Sequence, residues 1–232
     1  MMSKILALDT ETTGLKDPEV IEVSGTYLND DFTRSDSFSY RFKPNKPIEI
    51  ASMLKHGITY EDLINEREFS FSLDEDVEYL IGHNVDFDWI NIGKPEVKLI
   101  DTLSMSRKLW PNLEQHTLDY LVFYFTPKEN YKALIDKFKS SLHSSNFDVK
   151  LCLFLLNNIM SSAKLNTIEE VYNFSQNSRI IDRLPFGKYK GVELITVPND
   201  YLEWLLNELL QKNDFKDRYI IESINNELES RR

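Results

Sequence analysis

The chain has 232 residues, 41% hydrophobic and 12% aromatic, with 27 basic against 38 acidic side chains and a formal net charge of −11. That length suits one core domain of about 160–170 residues with a small appendage, and the apolar content suffices for a packed core. One cysteine excludes a disulfide framework and a thiolate-rich metal site, and the acidic balance disfavours a general nucleic-acid binder, whose affinity comes from basic groups facing phosphates.

The charge objection weakens where acids gather around divalent cations, which invert the local electrostatics. The N-terminal segment reaches Asp9 after only four apolar residues, Ile5 to Leu8, too few for a signal peptide. The longest apolar run elsewhere, residues 151–156, is far short of a membrane span. The expectation is a soluble, cytoplasmic protein.

Residues 4–8 read as a buried central strand that ends in the polar turn Asp9-Thr10-Glu11-Thr12-Thr13-Gly14. Residues 19–28 and 36–42 read as the next two strands, so three early strands form an antiparallel meander. Residues 50–56 read as a short helix before Gly57. Residues 77–81 and 98–100 read as two more strands, and residues 102–109 as a helix that stops near Pro111. From 118 to 160 the spacing is mostly helical, broken near Thr126-Pro127 and residues 140–145. Strands first, then alternating strands and helices, predict an α/β fold with a mixed sheet. The domain boundary is expected at residues 161–164. Residues 165–232 then give a helix, the glycine-bracketed turn Phe186-Gly187-Lys188-Tyr189-Lys190-Gly191, and two further helices.

Three acidic sites lie at strand ends or helix starts. Asp9 and Glu11, two apart on one strand, share a face at the carboxyl edge of the sheet, where they repel unless a cation sits between them. Hard oxygen donors suit Mg²⁺ or Mn²⁺. The plain structural reading is two solvated acids at a strand end. In Gly82-His83-Asn84-Val85-Asp86-Phe87-Asp88-Trp89 either Asp86 or Asp88 faces the same crevice, and pattern alone does not choose. An acid favoured by a helix N-terminus explains this position equally. His143 and Asp148 are separated by roughly 140° on a helix, so they converge only if Ser145 caps it, with His143 in the preceding loop. Ser145-x-x-Asp148 is also a capping box, the structural reading for Asp148. No lysine within these motifs compensates the charge.

The patterns Asp9-Thr10-Glu11, His83-Asn84-x-x-Phe87-Asp88 and His143-x4-Asp148 together resemble the three exonuclease motifs of the DnaQ-like DEDDh superfamily. The resemblance implies a ribonuclease H-like fold with a mixed five-stranded sheet over residues 1–164. It selects Asp88 over Asp86 and implies two divalent cations, Mg²⁺ or Mn²⁺. Asp9, Glu11 and Asp148 would hold one and Asp9 with Asp88 the other, with His143 as general base. The implied reaction is 3′→5′ hydrolysis at DNA ends, releasing nucleoside 5′-monophosphates.

His56-Gly57-Ile58-Thr59 resembles the segment that such enzymes place beside the terminal nucleotide. Thr12, Thr13, Gly14, Leu15, His56 and Asn84 are thus expected to meet substrate. Arg107-Lys108-Leu109-Trp110-Pro111 and the Phe186–Gly191 turn resemble the exodeoxyribonuclease X group, which carries a small module after its exonuclease domain. In that module Lys188 and Lys190, with Arg179 and Arg183, are candidate phosphate contacts, against a reading of the turn as purely structural. The rival functions are an exoribonuclease, a polymerase proofreading subunit and a non-catalytic adaptor; the intact acidic set disfavours the last.

Overall fold

The computed structural model describes residues 4–141, 145–212 and 218–231. Five strands, β1 (Lys4–Thr12), β2 (Val20–Leu28), β3 (Arg34–Arg41), β4 (Val77–Gly82) and β5 (Lys98–Asp101), form one mixed sheet in the order β3-β2-β1-β4-β5. The first three make the expected antiparallel meander, and β4 and β5 run parallel to β1 on its other side. The helices, in chain order, are α1 (Ile50–His56), α2 (Tyr60–Leu63), α3 (Val85–Asn91), α4 (Thr102–Leu109), α5 (Leu118–Phe125), α6 (Tyr131–Ser141), α7 (Ser145–Ala163), α8 (Ile168–Ser178), α9 (Asn199–Lys212) and α10 (Arg218–Ser230).

The continuous apolar run of β1 is explained by helices on both faces of the sheet. Ile5 and Ala7 pack in one cluster with Val149, Cys152, Leu153 and Leu156 of α7. Leu6 and Leu8 point the other way and pack with Val85 and Ile92 around α3. The period of two therefore carries Asp9 and Glu11 onto the α7 face, in line with Ile5 and Ala7.

Two features of register build the site's framework. The β1–β4 ladder stops at Ala7↔Ile81, whereas β1 stays paired with β2 as far as Thr12. Beyond Ala7 the β4-side edge of β1 therefore offers backbone donors to whatever follows β4. On the other side, β2 places Ser24 opposite Asp9 and Glu22 opposite Glu11. Glu22, 2% exposed, accepts from the Ser145 amide at 3.0 Å and lies 2.8 Å from Ser145 Oγ. Its second oxygen accepts from Arg41 Nε at 2.7 Å. The first residue of α7 is thus held by an acid on the sheet, a placement favoured by the positive end of the helix dipole.

Beyond α7 the chain extends the core rather than leaving it. Val171 of α8 is buried in the α7 cluster, and Ser175 Oγ accepts from the Asp101 amide at 2.8 Å, although the boundary was expected at 161–164. A second cluster, with Leu184, Leu194, Leu202, Ile220 and Ile224, holds the tail together. The Phe186–Gly191 segment is a tight turn, as expected: Gly191 N donates to Leu184 O, and Gly187 adopts φ 81°. A Cβ on Gly187 would meet Tyr201 Oη at 2.6 Å, so glycine is required there by space as well as by backbone angle.

Replacing Glu22 by Ala leaves the Ser145 donors and Arg41 without their acceptor. Unfolding in urea should show a loss of about 2–4 kcal/mol. A loss below about 0.5 kcal/mol, the size of an ordinary surface substitution, would mean that Glu22 does not anchor α7.

Candidate active site

Asp9, Glu11 and Asp148 each offer a carboxylate oxygen, and these atoms lie within 4.8 Å of one another. Asp148 reaches the pair because it sits in the first turn of α7, whose start is tied to Glu22 opposite Glu11. The expected capping role of Ser145 is inverted, since its hydroxyl turns to Glu22 and to Ser24, 2.6 Å away.

Asp88 stands outside that trio. Its Oδ1 accepts from both the amide and the hydroxyl of Thr10, at 2.9 and 2.7 Å, closing the edge of β1 that β4 leaves uncovered. Asp86, two residues earlier on α3, turns away from the site. It is 5% exposed, bonds to Arg179, and lies 3.7 Å from Arg218. Two residues of helix rotate by about 200°, so the two aspartates must serve opposite sides.

The electrostatics are those of a crowded, largely buried anionic pocket. Burial raises Asp9 well above the usual carboxylate range, and the neighbouring charges of Asp88, Asp148 and Glu11 raise it further. Burial likewise pushes Glu11 up to about 8, with Lys55 opposing, and Asp88 up to about 7 against the hydrogen bonds from Thr10. No lysine within the motifs compensates this charge, as expected, but one from outside them does. Lys55, in the last turn of α1, faces Glu11, Asp9, Asp148 and Asp88, which raise its pKa against the effect of desolvation. Its helix arrives from outside the acidic motifs, so motif spacing carried no signal for it.

The donor set fits a divalent metal. All three trio ligands are hard carboxylates, and oxygens bound to one such ion at about 2.1–2.4 Å lie within roughly 4–5 Å of each other. Protons and cations compete for the same oxygens.

The other expected site residues are placed variously. Thr12 and Thr13 are buried, and the Thr13 amide donates to Glu19 O, so it is not available to a nucleotide. Thr12 Oγ1 donates to Gly14 O at 2.7 Å, and a Cβ on Gly14 would strike the Glu49 carboxylate at 2.4 Å. Leu15 is 66% exposed beside this turn. His56, expected beside the substrate, is 4% exposed, and its Nδ1 accepts from Ile58 N to close the turn after α1. Asn84 holds φ 74° at the N-cap of α3, its amide donating to Asp101 Oδ1. Lys188 and Lys190 are exposed on the tail turn. Arg179 and Arg183, their expected companions, are instead bonded to Asp86 and Glu193. His143 lies outside the described residues.

Comparison with known proteins bears on this constellation. The model of the RNase_T family, described as "Exonuclease", matches residues 6–153, which contain all of it. The chain belongs to this exonuclease family. It is a hydrolytic nuclease of the DnaQ-like 3′→5′ type that its motifs resemble, with an acidic cluster suited to divalent metal. A second family model, described as "Putative quorum-sensing-regulated virulence factor", matches residues 177–213.

Among curated relatives, exodeoxyribonuclease 10 of Escherichia coli (strain K12) is 26% identical over 214 residues, 87% of this chain and 90% of that one. DNA polymerase III subunit epsilon of Buchnera aphidicola subsp. Acyrthosiphon pisum is 29% identical over 245 residues, covering 94% and 93%. Among solved structures, exonuclease X in complex with 5′-overhanging duplex DNA aligns with a TM-score of 0.54 at 20% identity, over 74% of this chain and 99% of that one. At that identity the likeness establishes the fold.

Without metal, raised carboxylate pKa values make the folded state bind more protons than the unfolded one between pH 5 and 8. Stability must then fall as pH rises through that window. The melting temperature in EDTA should drop from pH 5 to pH 8, and millimolar Mg²⁺ or Mn²⁺ should reverse most of the drop at pH 8. A flat EDTA profile, or no rescue by metal, would remove the case for a strained carboxylate site.

Proposed function

We propose that the chain is a 3′→5′ exodeoxyribonuclease that removes nucleoside 5′-monophosphates from DNA ends, acting in the cytoplasm with two divalent cations, Mg²⁺ or Mn²⁺. The observation that carries this reading is the convergence of Asp9, Glu11 and Asp148 inside the span matched by the exonuclease family. DNA as substrate is supported by the relatives, an exodeoxyribonuclease and a DNA polymerase subunit. The single buried cysteine suits a reducing cytoplasm.

Asp9, Glu11 and Asp148 would hold one cation, and Asp9 with Asp88 the second. Bound there, the pair supplies Lewis acidity that stabilises charge on the scissile phosphate and lowers the pKa of water. The chain's residues do the rest. Thr10 orients Asp88 through two hydrogen bonds. Lys55 limits the repulsion among the carboxylates and offers a charge to the substrate phosphate. His143, five residues before Asp148, would accept the proton of the attacking water, for which a neutral imidazole is suited near pH 7. Leu15, exposed beside the Thr12–Gly14 turn, would pack on the terminal base. The catalytic domain, taken from sequence as residues 1–164, is proposed to continue through α8, with a C-terminal module after it.

A second reading, a proofreading subunit, is favoured by the match along nearly the whole epsilon subunit of Buchnera. Stable co-purification with a polymerase would support it over a free-standing enzyme.

Labelled single- and double-stranded DNA, beside RNA, should lose mononucleotides from the 3′ end of DNA only, and only without EDTA. Release from RNA at an equal rate would overturn the choice of DNA, and release from 5′ ends the polarity.

The roles are separable by mutation. Asp88→Ala should abolish hydrolysis while the protein stays folded. Asp86→Ala should keep most of the turnover and lose stability, because it strips Arg179 of its partner. His143→Ala should lower turnover by about 10²–10⁴ with metal-induced stabilisation retained. Near-wild-type single-turnover rates in His143→Ala would eliminate that residue as the base, and a reversal of the two aspartate results would misassign α3.

A further inference from the structure

Two segments have no part in the catalytic geometry: Arg107-Lys108-Leu109-Trp110-Pro111 and the Phe186–Gly191 turn. They are about 80 residues apart in the chain, yet both line one cavity of about 520 Å³ between the sheet domain and the tail. The first contributes Arg107, Lys108 and Pro111, and the second Lys190 and Gly191. His116, Tyr219, Arg183 and Asp182 complete the charged and titratable lining, so among the described residues four permanent cations face one acid there. In a chain of net charge −11 this is a local reversal of sign.

The cations differ in how far they are committed. Arg183 is bonded to Glu193. Arg107 is fixed in place, its Nη1 donating to Tyr219 Oη and its guanidinium 5.7 Å from that ring. Lys108 Nζ donates to Asn177 O at 3.0 Å, a neutral acceptor, and makes no ion pair among the described residues. Lys190 makes no ion pair among the described residues. Lys188, by contrast, lies outside the cavity lining, with its ammonium 5.2 Å from the Tyr189 ring. The expectation of two equivalent lysines on the turn thus divides into one that faces the cavity and one that does not.

The cavity adjoins the carboxyl edge of the sheet. His116, in its wall, accepts through its carbonyl oxygen from His83 Nε2 at 2.9 Å, and His83 directly follows β4. His83 Nδ1 pairs with Thr102 Oγ1 at 3.0 Å, and Thr102 Oγ1 lies 3.6 Å from Cys152 Sγ, one turn beyond Asp148 on α7. Burial first, and then the neighbouring Arg107, His83 and Lys190, lower the pKa of His116 to about 4. Ile180, 64% exposed, and Pro111 add apolar surface that suits a sugar or base face better than a free ion.

We propose that this cleft is a second phosphate-binding site, in which Lys108, Lys190 and Arg107 hold the backbone of the nucleic-acid strand away from the end being hydrolysed. It rests on the exonuclease reading above and adds a place for the rest of the substrate. Such a site explains how an acidic protein retains a polyanion, since a few well-placed cations supply most of the sequence-independent affinity.

The test is fluorescence anisotropy on the full chain, with labelled oligo(dT) of 4 and 12 nucleotides in EDTA, so that no strand is consumed. Lys108→Glu/Lys190→Glu should weaken binding of the 12-mer by at least about tenfold at low salt and shrink its advantage over the 4-mer. For a single strand, each phosphate that is no longer neutralised by a lysine lowers the slope of log K against log salt by about 0.7, so the slope should fall by about 1.4. Lys94→Glu/Lys128→Glu changes the net charge equally elsewhere and should leave the slope as in the wild type. If the control pair flattens the slope as much, the effect is global charge and the cleft is not a site.

An unchanged length advantage together with loss of inorganic-phosphate binding by calorimetry would mean the cleft takes free phosphate, which overturns the strand assignment. Should the charge reversals lower the melting temperature, Lys108→Gln and Lys190→Gln should each still reduce the slope by about 0.7. A wild-type chain that degrades no nucleic acid would sink the exonuclease reading. A wild-type slope in the double variant of an active enzyme sinks only the cleft.

Discussion

The bond between Glu22 and the start of α7 is the constraint on which the site depends. A carboxylate buried on β2 is costly unless its oxygens are satisfied, and here they take the amide and hydroxyl of Ser145 on one side and Arg41 on the other. The helix dipole adds to the attraction. Because Glu22 lies opposite Glu11 in the β1–β2 ladder, the same bond that fixes α7 also brings Asp148 to the carboxylates of β1. The repulsion among three acids is then a cost the fold accepts locally. Lys55 offsets part of it, and a divalent cation would remove the rest.

The opposite edge of β1 follows a different rule. A parallel neighbour that stops early leaves backbone donors exposed, and the next helix must answer them. Asp88 does so at Thr10, which places a fourth acid beside the trio as a consequence of backbone pairing. The same helix uses Asp86 for an unrelated purpose, clamping Arg179 and Arg218 of the tail. Burial raises the pKa of Asp86 against the pull of both arginines, so the clamp contributes more to how the tail is located than to net stability.

Charge is distributed by task. The acids concentrate where cations are to be held, and a group of cationic side chains, Lys108 and Lys190 among them, gathers at the seam between sheet and tail. A nuclease of this kind has to grip a polyanion with a surface that is negative on average. The seam adds cations apart from the carboxylate site, where Lys55 already faces the acids.

Much of this was readable from residues in a line. The apolar run of β1, the meander after it, the helices at residues 50–56 and 102–109, and the acids at strand ends follow from periodicity and turn chemistry, which are local properties. The motif order also carried the family, because spacing within each motif reports on a strand end or a helix start. Other features depended on packing across long separations. Lys55 lies about 45 residues from Asp9 and about 90 from Asp148, so no spacing rule connects it to them. His56 shares the expected motif but faces inward, since its ring closes the turn after α1. Val171 and Ser175 bury against β5 and α7, and nothing in a helix's own periodicity says which core it joins. Among the tail's basic residues, sequence showed only that they were near one another. Which of them are spent on Asp86 and Glu193 and which face open space was decided by tertiary structure, because an ion pair depends on where the partner's backbone has been carried by the rest of the fold.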